Sequence, residues 1–118
     1  MKTKYLLGIV AIALVAACQT PAQKCAGTYN GQYTNNATIL YGINTTVTAD
    51  DDKTVSVTFN SGGTPSITVS GISVTEGSNS LALIKTELFG AFSGAVDGNE
   101  LNVGYSSIGG AITFVGTK

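Results

Sequence analysis

A chain of 118 residues with 43% hydrophobic and only 11% charged residues is sized for one small domain. It falls well short of the ~25% charge usual for soluble domains. All six basic residues are Lys, set against seven acids, and there is no His and no Trp. The electrostatic footprint of a nucleic-acid binder is therefore missing, and so is the commonest general base and metal ligand.

Part of the apolar fraction belongs to an N-terminal address. Lys2 and Lys4 precede an uncharged apolar run over residues 5–17. That run is shorter than the ~20 residues a membrane span needs, and it has the length and small-residue ending of a signal peptide. It closes on Leu14-Val15-Ala16-Ala17-Cys18, which looks like a bacterial lipobox. The pattern predicts a lipoprotein signal over residues 1–17 and a lipidated tether over residues 18–26. Cys18 is the lipid-attachment residue, because only a thiol forms the thioether. Two or three acyl chains, at ~0.8 kcal/mol per buried methylene, anchor such a protein durably. The alternative is an ordinary secretory signal, with Cys18 free or paired with Cys25. Gln19 is not the Asp that retains lipoproteins at the inner membrane, and residues 19–24 contain no acid. The expected address is the outer membrane, periplasmic face. Cys25 then reads as a small thiol at the foot of the first strand, since no His, Arg or second free Cys is present to activate it. An intermolecular bridge is the other option.

The chain after the tether alternates with period two. Thr54-Val55-Ser56-Val57-Thr58-Phe59 places Val55, Val57 and Phe59 on one face and hydroxyls on the other. Ser66-Ile67-Thr68-Val69-Ser70, Leu101-Asn102-Val103-Gly104-Tyr105 and Ala111-Ile112-Thr113-Phe114 repeat the pattern. Such alternation marks half-buried antiparallel strands. Strands are predicted near 27–34, 38–47, 54–60, 66–70, 72–76, 80–86, 91–97, 101–106 and 111–117. Gly71 is a bend or bulge that makes one strand of two of these. Asn35-Asn36, Asp50-Asp51-Asp52, Asp97-Gly98-Asn99 and Gly109-Gly110 supply the turns. Residues 83–90 are less regular, and Ile84, Leu88 and Phe89 fit either a helical turn or a loop over a barrel end.

The predicted fold class is all-β: a single antiparallel meander over residues 27–118, closed as a barrel of about eight strands, with a β-sandwich as the alternative. Closure removes exposed edges, a sharper need where surface charge is sparse. With few large side chains, the interior is expected to be mostly filled, with a shallow cavity at best.

The opening Ala26-Gly27-Thr28-Tyr29-Asn30-Gly31-Gln32-Tyr33, the hairpin from Phe92-Ser93-Gly94 through Asp97-Gly98-Asn99-Glu100-Leu101 to Val103, and the closing Ile112-Thr113-Phe114-Val115-Gly116-Thr117-Lys118 carry a resemblance. Together they resemble the small calycin-like lipoproteins of Bacteroides and relatives, over about residues 26–118. The resemblance implies an up-and-down barrel, a fold that in many calycins binds small apolar molecules. Lipocalins have G-x-W in the first strand, packed by a later Arg. Here Gly27-Thr28-Tyr29 carries Tyr, and the chain has no Arg.

Catalytic chemistry finds little support. Asp50-Asp51-Asp52 lacks the spacing of a calcium loop and reads as a solvated turn. Glu87 and Glu100 do not make a glycosidase pair. Ser and Thr are plentiful, but without His they lack the usual base, and no S-x-x-K motif occurs. Asn36-Ala37-Thr38 and Asn44-Thr45-Thr46 match glycosylation sequons that a bacterial lipoprotein does not use. The expectation is a non-enzymatic protein without metal or cofactor, held to the membrane through Cys18 and not binding nucleic acid. It is read as a module for a small apolar ligand, with Tyr29, Tyr33, Tyr41 and Tyr105 as wall or rim residues. The alternative is a structural or interaction protein of the envelope with no ligand cavity.

Overall fold

The computed structural model describes residues 19–61 and 66–118. The signal and Cys18 lie outside the described residues. A one-turn helix α1 (Pro21–Cys25) leads into eight strands: β1 (Gly27–Asn35), β2 (Thr38–Ala49), β3 (Thr54–Asn60), β4 (Ile67–Glu76), β5 (Leu81–Glu87), β6 (Gly90–Asp97), β7 (Glu100–Ser107) and β8 (Gly110–Thr117). Each strand pairs antiparallel with the next, and β8 returns to β1, so the meander closes into a barrel and the sandwich alternative falls away. The lower end carries α1 and the turns at residues 50–53, 77–80 and 98–99. The upper end carries the turns at residues 36–37, 88–89 and 108–109, with the end of β3 at Asn60 and the start of β4 at Ile67.

Alternation decides which way each side chain points. In β3, Val55, Val57 and Phe59 are buried while Thr54, Ser56 and Thr58 face out. Applied around the barrel, the same rule sends Tyr29, Tyr33, Phe59, Phe92 and Phe114 inward with Leu83, Leu101 and Ile72, all at most 2% exposed. Side chains fill the interior, as the small-barrel argument expects. Glycines make room for the aromatics at the closing seam. Gly31 faces Gly116 across β1 and β8. A Cβ on Gly116 would lie 2.5 Å from the Phe114 ring, and one on Gly31 would strike the Val115 carbonyl.

Two bulges bend the sheet. Gly31 pairs with Ile43 but Tyr33 with Leu40, so Gln32 faces one extra residue on β2, where Gly42 takes φ 66°. On β4, Gly71 takes φ 70° and the β3 register slips between Val55 and Val57. The predicted strands at 66–70 and 72–76 are thus one bent strand, with Gly71 at the bend. The irregular stretch 83–90 is neither a helical turn nor a long loop. It is the upper half of β5, a two-residue turn at Leu88 and Phe89, and the start of β6. Period two holds there because Lys85 and Glu87 occupy the inward positions after Leu83 and leave Ile84 outside, 53% exposed.

Candidate functional site

The two ends of the barrel are built differently. The segment expected to be a plain tether folds as α1 and closes the lower end. Thr20 caps the helix: its hydroxyl accepts from the Gln23 amide, while the Gln23 side chain accepts from the Thr20 amide. Pro21 follows at the first helical position, where no donor is lost. Ala22 and Cys25 are fully buried. The Ala22 amide donates to the Asp52 carbonyl at 3.2 Å, and Lys24 pairs with Glu76 at 2.7 Å, tying the helix to two lower turns.

Beneath the helix, the Tyr29 hydroxyl donates to the Cys25 carbonyl at 2.7 Å. Lys118 Nζ lies 5.3 Å from the centroid of the Tyr29 ring and donates to the carbonyls of Ala26 (3.1 Å) and Lys24 (3.4 Å). Burial pushes the Cys25 thiol up to about 11, partly offset by the Lys118 charge. Burial, with the neighbouring Cys25 adding to it, pushes the Tyr29 phenol up to about 12. Both groups hold their protons at neutral pH, so Cys25 offers no thiolate there.

The upper end is open and shallow. A cleft of about 510 Å³ is lined by Tyr33, Asn35, Asn36, Ala37, Thr38, Leu40 and Ser61. Its floor is solid, because the Tyr33 ring packs at 6.0 Å on Phe59, and Asn35 Nδ2 donates to the Tyr33 hydroxyl at 3.2 Å. Across the mouth, Lys85 and Glu87 form a half-buried pair at 3.1 Å. Lys85 also donates to the Ser70 carbonyl beside the Gly71 bulge (2.6 Å), and Tyr105 donates to Glu87 (3.3 Å). A second depression of about 340 Å³ lies between two hairpin tips, lined by Glu87, Leu88, Phe89, Ser107, Ile108 and Gly109. Leu88, Phe89 and Ile108 are 88%, 67% and 82% exposed, an apolar rim on a surface otherwise rich in hydroxyls.

The structure separates the four tyrosines expected at a ligand wall. Tyr29 seals the lower end, Tyr33 floors the upper cleft, Tyr105 is half-buried across the mouth, and Tyr41 stands outside the barrel at 75% exposure. Asp50, Asp51 and Asp52 form the expected turn. Asp51 Oδ1 accepts from the Lys53 and Thr54 amides, both at 2.8 Å, and those bonds hold its carboxyl below its ordinary value. Glu87 sits at the upper end and Glu100 at the lower. Among the described residues, no group of three His, Cys, Asp or Glu side chains is placed to hold a metal ion.

Sequence reasoning missed the Lys85–Glu87 pair and the Lys118–Tyr29 contact. The first had a usable signal, the unbroken alternation from Leu81 through Glu87. The second joins distant residues and leaves no local trace.

No family model and no curated protein matches the chain. Its fold is similar to that of a protein of Bacteroides fragilis named a "putative outer membrane protein", with a TM-score of 0.63 at 19% identity. The match covers 85% of this chain and 53% of that crystal structure's chain, so this protein spans about half the length of its neighbour. At that identity the likeness is one of fold: a closed antiparallel barrel shared with a longer protein.

Proposed function

We propose that the chain is a lipid-anchored protein of the bacterial envelope, held on the periplasmic face of the outer membrane, whose barrel is a non-catalytic binding module working from its upper end. The observation that carries this reading is the difference between the ends. At the lower end, next to the anchor at Cys18, α1, Tyr29 and Lys118 cover the barrel axis and leave a polar depression of about 340 Å³ beside Lys24, Glu76 and Ser80, while the upper end carries the larger cleft of about 510 Å³ and an apolar rim. The lipobox, the resemblance to calycin-like lipoproteins and the name of the Bacteroides fragilis neighbour support the envelope address. In the described residues no helix is long and apolar enough to cross a membrane. The outward positions of the strands are mostly Thr, Ser, Asn and Ala, and most large apolar side chains face inward, with Ile39, Tyr41, Ile84 and Val115 as scattered outward exceptions. A barrel that spans a bilayer with its strands has the opposite arrangement, so this reading assigns membrane attachment to the lipid on Cys18.

The ligand in this reading is a small molecule with an apolar body that lies across the mouth against Tyr33 and Leu40, because side chains fill the barrel axis. A second reading, favoured by the exposure of Leu88, Phe89 and Ile108, is an envelope protein docked on the rim. Intact-mass measurement of membrane-extracted protein tests the anchor: a chain starting at Cys18 with added acyl mass is expected, and an unmodified chain starting at Met1 rejects it. A thermal-shift screen with lipids, haem and envelope extracts tests the module. A defined ligand that raises Tm, with the rise abolished by Leu40→Ala, supports the mouth. No shift, together with a co-purifying envelope protein lost in Leu88→Ser/Ile108→Ser, supports the rim.

A further inference from the structure

The outer face of β1–β4 carries charge only at its lower edge, where the Asp50 carboxylate accepts from the outward Ser56 hydroxyl at 2.7 Å. β1, β2 and β3 contain no ionisable acid or base other than tyrosine, and β4 has only Glu76, at its lower end and already paired with Lys24. The other acids stand in the lower turns and strand ends or, as Glu87, face the barrel mouth. Above that edge, this face carries ordered rows. Thr28, Thr46, Thr58 and Thr68 pair in succession across the four strands, with the Thr58 and Thr68 hydroxyls 2.9 Å apart. Directly above them, Asn30, Asn44 and Asn60 form a second row. Asn30 donates to Asn44 at 2.9 Å, and Ser66 donates to Asn60 at 2.8 Å. Tyr41, 75% exposed, is the next outward side chain above Asn44.

We propose that this face docks a neutral glycan chain laid across the strands. Hydroxyls and primary amides both donate and accept, the same double capacity that sugar hydroxyls present. Strand spacing repeats these groups every ~4.8 Å, so a polymer of like units meets like groups along its length. The Tyr41 ring adds an apolar plate for the C–H face of a pyranose. Charge complementarity favours this occupant over others. An ionic partner finds no counter-charge along the Thr and Asn rows, Asp50 lying below them at the lower edge, and a protein partner or lipid surface would need an apolar core larger than Tyr41 and Ile39 supply. The face is separate from the upper mouth, so the proposal stands independently of that reading.

The test is cosedimentation of the full domain, residues 19–118, with four insoluble neutral polysaccharides: cellulose, chitin, starch and β-1,3-glucan. Retention on at least one is expected. Tyr41→Ala and Asn44→Asp, both outward and exposed, should each lower it at least five-fold with unchanged circular dichroism. Leu88→Ser/Ile108→Ser, at the upper rim, should retain it. Absence of retention on all four overturns the proposal. So does retention that survives both face variants, or retention lost only in the rim variant.

Discussion

Lys118 Nζ rests 5.3 Å from the centroid of the Tyr29 ring while donating to the Ala26 carbonyl at 3.1 Å. The contact joins ring face and ammonium at the lower end of the barrel. The ammonium bonds backbone carbonyls of α1 and its exit, so helix and closing strand are held by one group. Lys118→Met keeps the stem and removes the charge. It is expected to cost about 1 kcal/mol, lowering Tm by roughly 4–8 °C for a domain of this size. Lys118→Arg should restore most of the loss, because a guanidinium stacks on the same ring. Thermal melts of the three proteins check this.

Thr45 points into the core between Tyr29 and Phe59 on the flanking strands, fully buried, and among the described residues its hydroxyl has no hydrogen-bond partner. An unmatched buried hydroxyl costs about 1–3 kcal/mol, and Val has nearly the same shape. Thr45→Val is therefore expected to stabilise the barrel by about 1 kcal/mol, read as a higher urea midpoint at unchanged m-value.

Cys25 and Tyr29 carry a pH dependence of definite sign. Both are neutral when protonated, and burial raises both in the folded state, so above the unfolded values the folded chain binds more protons than the unfolded one. The contribution of these two groups should be constant below about pH 9 and fall as pH rises from about 9 towards about 11, the interval between the ordinary and the raised Cys25 values. Tyr29 continues the fall from about 10 towards about 12. Urea melts of wild type and Cys25→Ala at pH 8, 9.5 and 10.5 check this. The variant should lose less stability between the first two. At pH 8 the native thiol should also react with a disulfide reagent far more slowly than the unfolded chain.

Gly31 and Gly116 meet where β1 and β8 close the barrel, and neither position has room for a methyl group. Gly31→Ala forces its Cβ into the Val115 backbone, which cannot swing aside, and is expected to cost about 3 kcal/mol, at the upper end of overpacking losses. Gly98→Ala is a useful contrast. That glycine takes φ 60° with nothing near its Cβ, so only backbone strain of about 1 kcal/mol applies. Denaturant titration of the two variants should rank them in that order.

Strand identity was legible wherever an apolar inward row alternated with hydroxyls, as in β3 and β8. It blurred in β5, where Lys85 and Glu87 take inward positions near the mouth and Ile84 faces water, so hydropathy and orientation disagree. Gly71 was readable as a bend because it breaks the alternation between Val69 and Ile72. The capping box from Thr20 to Gln23 was present in the sequence too. Five residues rich in polar groups gave it no apolar stripe, and its burial comes from the barrel end that receives Ala22 and Cys25. The contact between Tyr29 and Lys118 depends on closure of the sheet, and no short-range pattern encodes closure. The upper cleft was foreshadowed only as a shallow cavity, and its lining follows from the bulge at Gly42 and the β1–β2 turn.

The seam between β1 and β8 also governs how the chain can fold. Asn30 pairs with Thr117 and Asn35 with Ile112, so the last ladder joins the first strand to the final one. Until that ladder forms, β1 and β8 both present unpaired edges, and the aromatic interior has no wall on one side. A partial chain gains little from folding early, because each hairpin alone is marginal and the longest loop must close last. The closing ladder between β1 and β8 therefore ties the stability of the first strand to the presence of the last, whatever the order in which the others form.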